Sequence, residues 1–194
     1  MSKYQKEETP IKDLYIIKPT VYGDDRGYFF ESYTKKDFHE IGLEMRFVQD
    51  NQSKSQKGVL RGLHFQSEHP QGKLVRVVEG KVFDVAVDLR RGSPTYGQYF
   101  GVELSAKNKL MFYIPEGFAH GFLTLSNEVL FLYKTTEYYY AEYDMGVIWN
   151  DADININWPL EKYGIDKPVL STRDASLPKL ADVDSPFYFN IVGG

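Results

Sequence analysis

The run LVRVVEGKVFDVAVDL, residues 74–89, constrains the fold more than any other stretch of this chain. Two β-branched segments meet at Glu79-Gly80, and beyond the glycine Phe83, Val85, Val87 and Leu89 alternate with Asp84, Ala86 and Asp88. A period of two sends successive side chains to opposite faces, so the run predicts two strands, and the Glu-Gly junction predicts that they pair as a hairpin. Further strands are expected at 14–19, 27–33, 45–53, 59–66, 96–104, 109–115, 120–126, 129–136 and 147–150, with turn residues between them at short intervals. Helix signals are rare. One short helix is expected over 35–41, begun by Thr34 and ended by Gly42. From about residue 159 the prolines Pro159, Pro168, Pro178 and Pro186 predict irregular chain with a helical turn or two. Many short strands without a strand–helix–strand rhythm imply an all-β protein, and a β-jelly roll is the architecture that fits. A chain of 194 residues is long enough to bury a sizeable core as one domain, 1–194.

Charge and composition exclude several function classes. A net charge of -4 with interspersed signs leaves no basic tract for nucleic acid. With no cysteine there is no disulfide framework, thiolate nucleophile or thiolate metal site, which suits a reducing compartment. The N-terminal MSKYQKEETP is charged and carries no secretory apolar region, and no apolar run approaches the ~20 residues that a membrane helix needs, so the expected location is cytoplasmic.

Four histidines remain to be placed. His39, on the polar side of the expected helix, and His69, in the polar loop SEHPQG, read as solvated surface. His64 and His120 stand beside glycines inside apolar strands, where a buried imidazole needs hydrogen-bond partners or a function. Their settings, Gly58-x5-His64 and Pro115-x-Gly117-x2-His120, resemble halves of the two cupin motifs, in which a small jelly-roll barrel usually holds a metal through three histidines and a glutamate. Here Gln66 stands where the second histidine would, and Gln71 closest to the place of the glutamate. Two imidazoles and two amides are a poor set for zinc or iron, so the expectation is a barrel with no metal.

The runs DDRGYFFE (24–31), FVQDN (47–51), GVLRGLHFQ (58–66), QGKLVRVVEGKVFDVAVDLR (71–90), SPTYG (93–97), IPEGFAHGF (114–122), LYKTTEYY (132–139) and LSTRD (170–174) are similar to the dTDP-4-dehydrorhamnose 3,5-epimerase family over about residues 12–180. The resemblance implies a cupin-like jelly roll, usually a homodimer, that inverts C3 and C5 of dTDP-4-dehydro-6-deoxy-D-glucose without a cofactor. Both carbons flank the C4 ketone, so each inversion needs a base for the α-proton, a stabiliser for the enolate and an acid on the opposite face. By resemblance His64 is the base, oriented by Asp174; Lys73 faces the ketone oxygen; Tyr133 is the proton donor. Arg26, Glu31, Gln49, Asn51, Arg61 and His120 match substrate-contacting positions, and a guanidinium suits a diphosphate. Arg61 lies three residues before His64, which in a regular strand puts them on opposite faces; either a bulge at Gly62 or service to a neighbouring subunit resolves this. The family's YYxPExE segment reads YYYAEYD here, so Asp144 replaces a glutamate, and Arg173 stands where lysine often precedes the dyad aspartate.

Three readings follow: the double epimerase; a relative that inverts only C3 or takes another nucleotide-linked ketosugar; and a metal-binding cupin or noncatalytic sugar-nucleotide module. Homodimerisation is implied by the resemblance, and an N-terminal strand such as LYIIKP (14–19) is expected to close the partner's sheet and hide its edge.

Overall fold

The computed structural model describes residues 2–189. Its strands are β1 (Tyr4–Glu8), β2 (Tyr15–Pro19), β3 (Tyr22–Asp24), β4 (Gly27–Phe29), β5 (Gln49–Gln56), β6 (Leu60–Gln66), β7 (Lys73–Glu79), β8 (Lys81–Asp88), β9 (Tyr99–Ser105), β10 (Met111–Ile114), β11 (Phe118–Thr124), β12 (Glu128–Thr135) and β13 (Asp144–Gly146), with one helix, α1 (Lys35–Glu40), before β5. They form a six-stranded antiparallel sheet, β1-β2-β10-β7-β12-β5, facing a five-stranded one, β13-β6-β11-β8-β9, with β3 and β4 as a separate hairpin. This is the expected jelly roll.

The run at 74–89 does form two strands, but they do not pair. β7 lies between β10 and β12 in one sheet, and β8 between β11 and β9 in the other. A single residue, Gly80, separates them, too few for a two-residue hairpin loop, so the chain turns a corner between sheets instead. Gly80 has φ +80°, and a Cβ there would stand 2.1 Å from the Glu128 carbonyl oxygen and 2.4 Å from Ser126 Oγ. The corner is packed against the β11–β12 turn.

This corner determines what the alternation in β8 means. Val85, Val87 and Leu89 point outward into a core shared with Trp158, Ile165, Leu180 and Val183, so the C-terminal segment covers the outer face of the five-stranded sheet. The other parity, Val82, Asp84 and Ala86, faces the space between the sheets. There Val75, Val77, Phe112, Phe122 and Phe131 pack from both sheets and fill one part of the barrel. Phe112 and Phe131 are almost completely buried, each worth ~2–3 kcal/mol of hydrophobic transfer.

Other elements depart from the sequence expectation for identifiable reasons. β5 starts at Gln49 rather than 45, because Phe47 packs on Tyr33 (ring centroids 5.0 Å apart) in the cluster around α1. Six residues cannot sustain a helix alone; α1 is held by Phe38, which is fully buried against Tyr4, Leu74 and Met111 on the outer face of the six-stranded sheet. Thr34 does precede it, but its hydroxyl donates to Glu31 Oε2 (2.5 Å) instead of capping. The strand expected at 147–150 lies earlier, at β13: Val147 still exchanges backbone bonds with Leu63, and then Ile148 N–H turns to the Pro178 carbonyl. LYIIKP, expected to close a partner's sheet, instead pairs within its own chain, as β2 between β1 and β10. The edge on this side of the sheet is β1, YQKEE, whose charge hid it as a strand and suits an exposed edge.

Candidate active site

The inner face of β6 turns its polar side chains into the barrel. His64 stands directly opposite His120 of β11 in the antiparallel register. Two residues along, the register jumps, so that Phe122 faces Arg61: β6 carries the extra residue of a bulge. Gly62 makes it, at φ +110°, where a Cβ would meet Gly121 Cα and the His120 carbonyl oxygen at 2.6 Å. The bulge resets parity. Arg61 and His64 therefore line one cavity, and the bulge is the alternative that holds.

That cavity, of about 340 Å³, is lined by His64, Lys73, Tyr133, Asp174, Arg61, His120, Asp144 and Arg173 of the expected residues. Arg26, Glu31, Gln49 and Asn51 are not part of its wall. Arg26 sits on the β3–β4 hairpin, its side chain 90% exposed and paired with Asp24. Glu31 is tied to Lys3 (2.5 Å). Gln49 Nε2 donates to Asn51 Oδ1 (2.8 Å), and Gln49 Oε1 accepts the Tyr139 N–H, so this pair supports a wall residue from behind.

Two histidine–carboxylate pairs meet in the cavity. His64 Nε2 lies 2.6 Å from Asp174 Oδ1. Asp174 opens a 3-10 turn and is buried; burial alone would push its carboxyl up, but hydrogen bonds from His64, Ser171 and the Gly62 N–H together hold it below the usual carboxylate range. With Nε2 engaged there, Nδ1 is the imidazole nitrogen left to work on a ligand. The second pair joins His120 Nε2 to both oxygens of Asp84, at 3.0 and 3.1 Å, and Asp84 is wholly buried. Burial pushes the Asp84 carboxyl up, against the pull of His120 and Lys73.

The remaining charges are placed around these pairs. Lys73, first residue of β7, is 8% exposed; burial lowers its ammonium to a pKa of about 8, while Asp144 and Asp84 push back. Tyr133 projects from β12, its phenol raised by burial and drawn down by Arg61. Arg61 donates to Ser55 Oγ through Nε and Nη2, both at 3.2 Å. Arg173 pairs with Asp144 (2.7 Å), which also accepts the Tyr139 hydroxyl at 3.0 Å. Asp144 and Arg173, both departures from the family pattern, thus bond to each other.

Asp84 was missed in the sequence because one aspartate in an alternating strand reads as a solvent-facing residue. Tyr139 was missed as a wall residue because three consecutive tyrosines give no parity; it supplies an aromatic face at the cavity. Gln66 and Gln71 have structural duties. Gln66 Nε2 donates to the carbonyls of His69 (2.7 Å) and Tyr138 (3.1 Å), its Oε1 accepts the Tyr140 N–H (2.7 Å), and Gln71 Nε2 donates to the Glu137 carbonyl (3.0 Å). With these amides committed to the backbone and both imidazole Nε2 atoms to carboxylates, the residues do not fit the metal set of a cupin.

A jelly roll whose interior pairs each histidine with a carboxylate is a cupin-like protein equipped for proton transfer. The comparisons specify it further. A family model described as dTDP-4-dehydrorhamnose 3,5-epimerase matches residues 8–182. The enzyme of that name from Methanothermobacter thermautotrophicus is 53% identical over 188 residues, covering 97% of this chain and 100% of the relative. Among solved structures, the dTDP-6-deoxy-D-glucose-3,5-epimerase of Legionella pneumophila in complex with dTDP-4-keto-L-rhamnose superposes with a TM-score of 0.92 at 49% identity, over 96% of this chain and 100% of that one. A 3'-monoepimerase from Streptomyces bikiniensis in complex with dTDP-quinovose gives 0.83 at 31%, over 90% and 87%. This chain belongs to the dTDP-4-dehydrorhamnose 3,5-epimerase family.

Proposed function

We propose that the protein inverts C3 and C5 of dTDP-4-dehydro-6-deoxy-D-glucose to give dTDP-4-dehydro-L-rhamnose, without a cofactor. The observation that carries this reading is the His64–Asp174 pair sharing a cavity with Lys73 and Tyr133 in a member of this family. His64 takes the α-proton and its C–H electron pair moves into an enolate whose charge gathers on the C4 oxygen. Asp174 stabilises the imidazolium so formed. Lys73 and His120 oppose the oxyanion in a site removed from water. Tyr133 gives a proton to the opposite face of the carbon; solvent then removes the proton from His64 and restores that of Tyr133. Arg61 engages the diphosphate, with Asp144 and Arg173 contacting the nucleotide sugar and Tyr139 an aromatic surface for its base. The decisive test is turnover of this ketosugar by chelator-treated protein. Full conversion supports the reading, and dependence on an added metal contradicts it.

Two outcomes follow from the roles assigned. Tyr133→Phe retains hydrogen exchange at the substrate's α-carbons while epimerised product falls by roughly 10²-fold, the low end for loss of a general acid; product and exchange are read together by NMR. Activity also declines on the alkaline side with a midpoint near pH 8, because Lys73, lowered to about 8 by burial, is cationic below that point and neutral above it. A pH profile of kcat/KM that stays flat from pH 7 to ~10, past the ordinary lysine range, contradicts the role given to Lys73.

The same reading includes a homodimer of single-domain subunits. Tyr22, Tyr28 and Phe29 on the β3–β4 hairpin are each more than half exposed, a surface suited to a second copy. Arg26 on this hairpin then serves the partner's cavity, which accounts for its position away from its own. Light scattering gives twice 22.4 kDa on this reading. Mixing Arg26→Ala with His64→Asn protein restores activity through hybrid dimers; no restoration places Arg26 outside the site. Among the described residues no helix is long and apolar enough to cross a membrane, and a nucleotide-activated substrate fits a cytoplasmic enzyme.

A further inference from the structure

The mechanism above gives Asp84 no task, although burying a carboxylate completely is costly unless something requires it there. Its neighbours on the same face of β8, Val82 and Ala86, belong to the apolar core, and an apolar side chain in its place would extend that core. Asp84 instead directs both oxygens at one atom, His120 Nε2. Two rings stacked on each other, Phe122 and Phe131, pack beside the imidazole from one side, at 6.4 and 6.3 Å between centroids. Only its other edge is left for the cavity that it lines with Lys73. This repeats the His64–Asp174 arrangement on the adjoining strand, since His64 and His120 face each other in register.

We infer that Asp84 is a positioning residue of this site: its carboxylate fixes the His120 ring and stabilises it as an imidazolium, and its charge keeps Lys73 cationic, so that two donors confront the C4 oxygen before the enolate forms. The inference rests on the proposed epimerase reading. A neutral imidazole held at Nε2 would turn the Nδ1 lone pair toward the developing oxyanion, whereas an imidazolium offers a second N–H. The wholly buried carboxylate acts on Lys73 with little screening, in the direction that raises its pKa, alongside Asp144. The other ionisable groups facing this cluster are Arg61 and His64 from β6, Tyr133 from β12, Tyr139 before β13, and Arg173 and Asp174 from the C-terminal segment. A shift is therefore read as the difference between variant and wild type.

The test is Asp84→Asn, nearly the same shape without the charge. Expected are a kcat lowered roughly 10²-fold with KM little changed, as for loss of one oxyanion donor, and an alkaline limb moved roughly one unit lower. A folded variant with wild-type kcat and an unmoved limb overturns the inference. So does a fall in kcat and thermal stability with a raised KM and the limb in place, which marks a structural role. Should the variant not fold, nitrogen NMR of wild-type protein labelled in its histidines still decides. Two protonated nitrogens on His120 at neutral pH support the inference; a neutral ring, with the proton on Asp84, overturns it. Wild-type protein that fails to turn over the ketosugar contradicts the epimerase reading instead, and the histidine NMR remains interpretable.

Discussion

Replacing His64 with alanine abolishes hydrogen exchange at both C3 and C5 while leaving the fold intact. Both α-protons become acidic only through the C4 ketone, and the other imidazole in the cavity, His120, is assigned to the ketone oxygen as a hydrogen-bond donor, paired at Nε2 with Asp84, and not to the α-carbons. General-base catalysis contributes typically ~10²–10⁴-fold, and with Asp174 left without its partner the remaining site has no group of suitable basicity at the same place. The side chain is 29% exposed rather than packed in the core, so truncation costs little stability. Exchange by NMR and thermal unfolding are measured on the same sample. Loss of exchange at one carbon alone assigns the two protons to different bases and contradicts a single His64 mechanism.

Asp174→Asn lowers kcat by roughly 10³–10⁴-fold, with KM nearly unchanged, because an amide orients the imidazole without stabilising its charge and can also select the wrong tautomer; the magnitude is that seen for the orienting aspartate of serine proteases. Asp174 accepts hydrogen bonds from His64, Ser171 and the Gly62 N–H, and their combined effect keeps it ionised against burial. The amide cannot accept all of these on equal terms. A variant with kcat within threefold of wild type would show that His64 needs no partner, and would remove the account's explanation for a buried carboxylate at this place.

Much of this architecture is legible in the sequence, and the failures have physical causes. Strands such as 59–66 and 129–136 were readable because a period of two imposes β-branched and aromatic residues at regular places. The Glu79-Gly80 junction misled because a glycine at positive φ serves a corner between sheets as well as a hairpin; only the packing of Glu128 and Ser126 against it separates the two. Asp84 was hidden for a related reason. In β8 the residues that looked like the polar face point inward, and the apolar parity is covered by a C-terminal segment whose irregular sequence gives no sign of where it packs. Arg61 and His64 posed a visible conflict of parity, for which a bulge at Gly62 was one of two readable resolutions; the register shift between β6 and β11 decides for it. Asp174, separated from His64 by 110 residues, was placed beside it by family resemblance alone, since no local pattern joins an LSTRD loop to a strand interior. Arg26 and Glu31 were named on the same ground and lie off the cavity wall of their own chain, which is why a second subunit enters the account.

The central claim is that one cavity removes and returns protons at two carbons without a cofactor. Proton NMR of chelator-treated protein with dTDP-4-dehydro-6-deoxy-D-glucose in D2O tests it most directly. The account predicts deuterium at both C3 and C5 together with inverted product; deuterium at C3 alone, or none at either carbon, would contradict it.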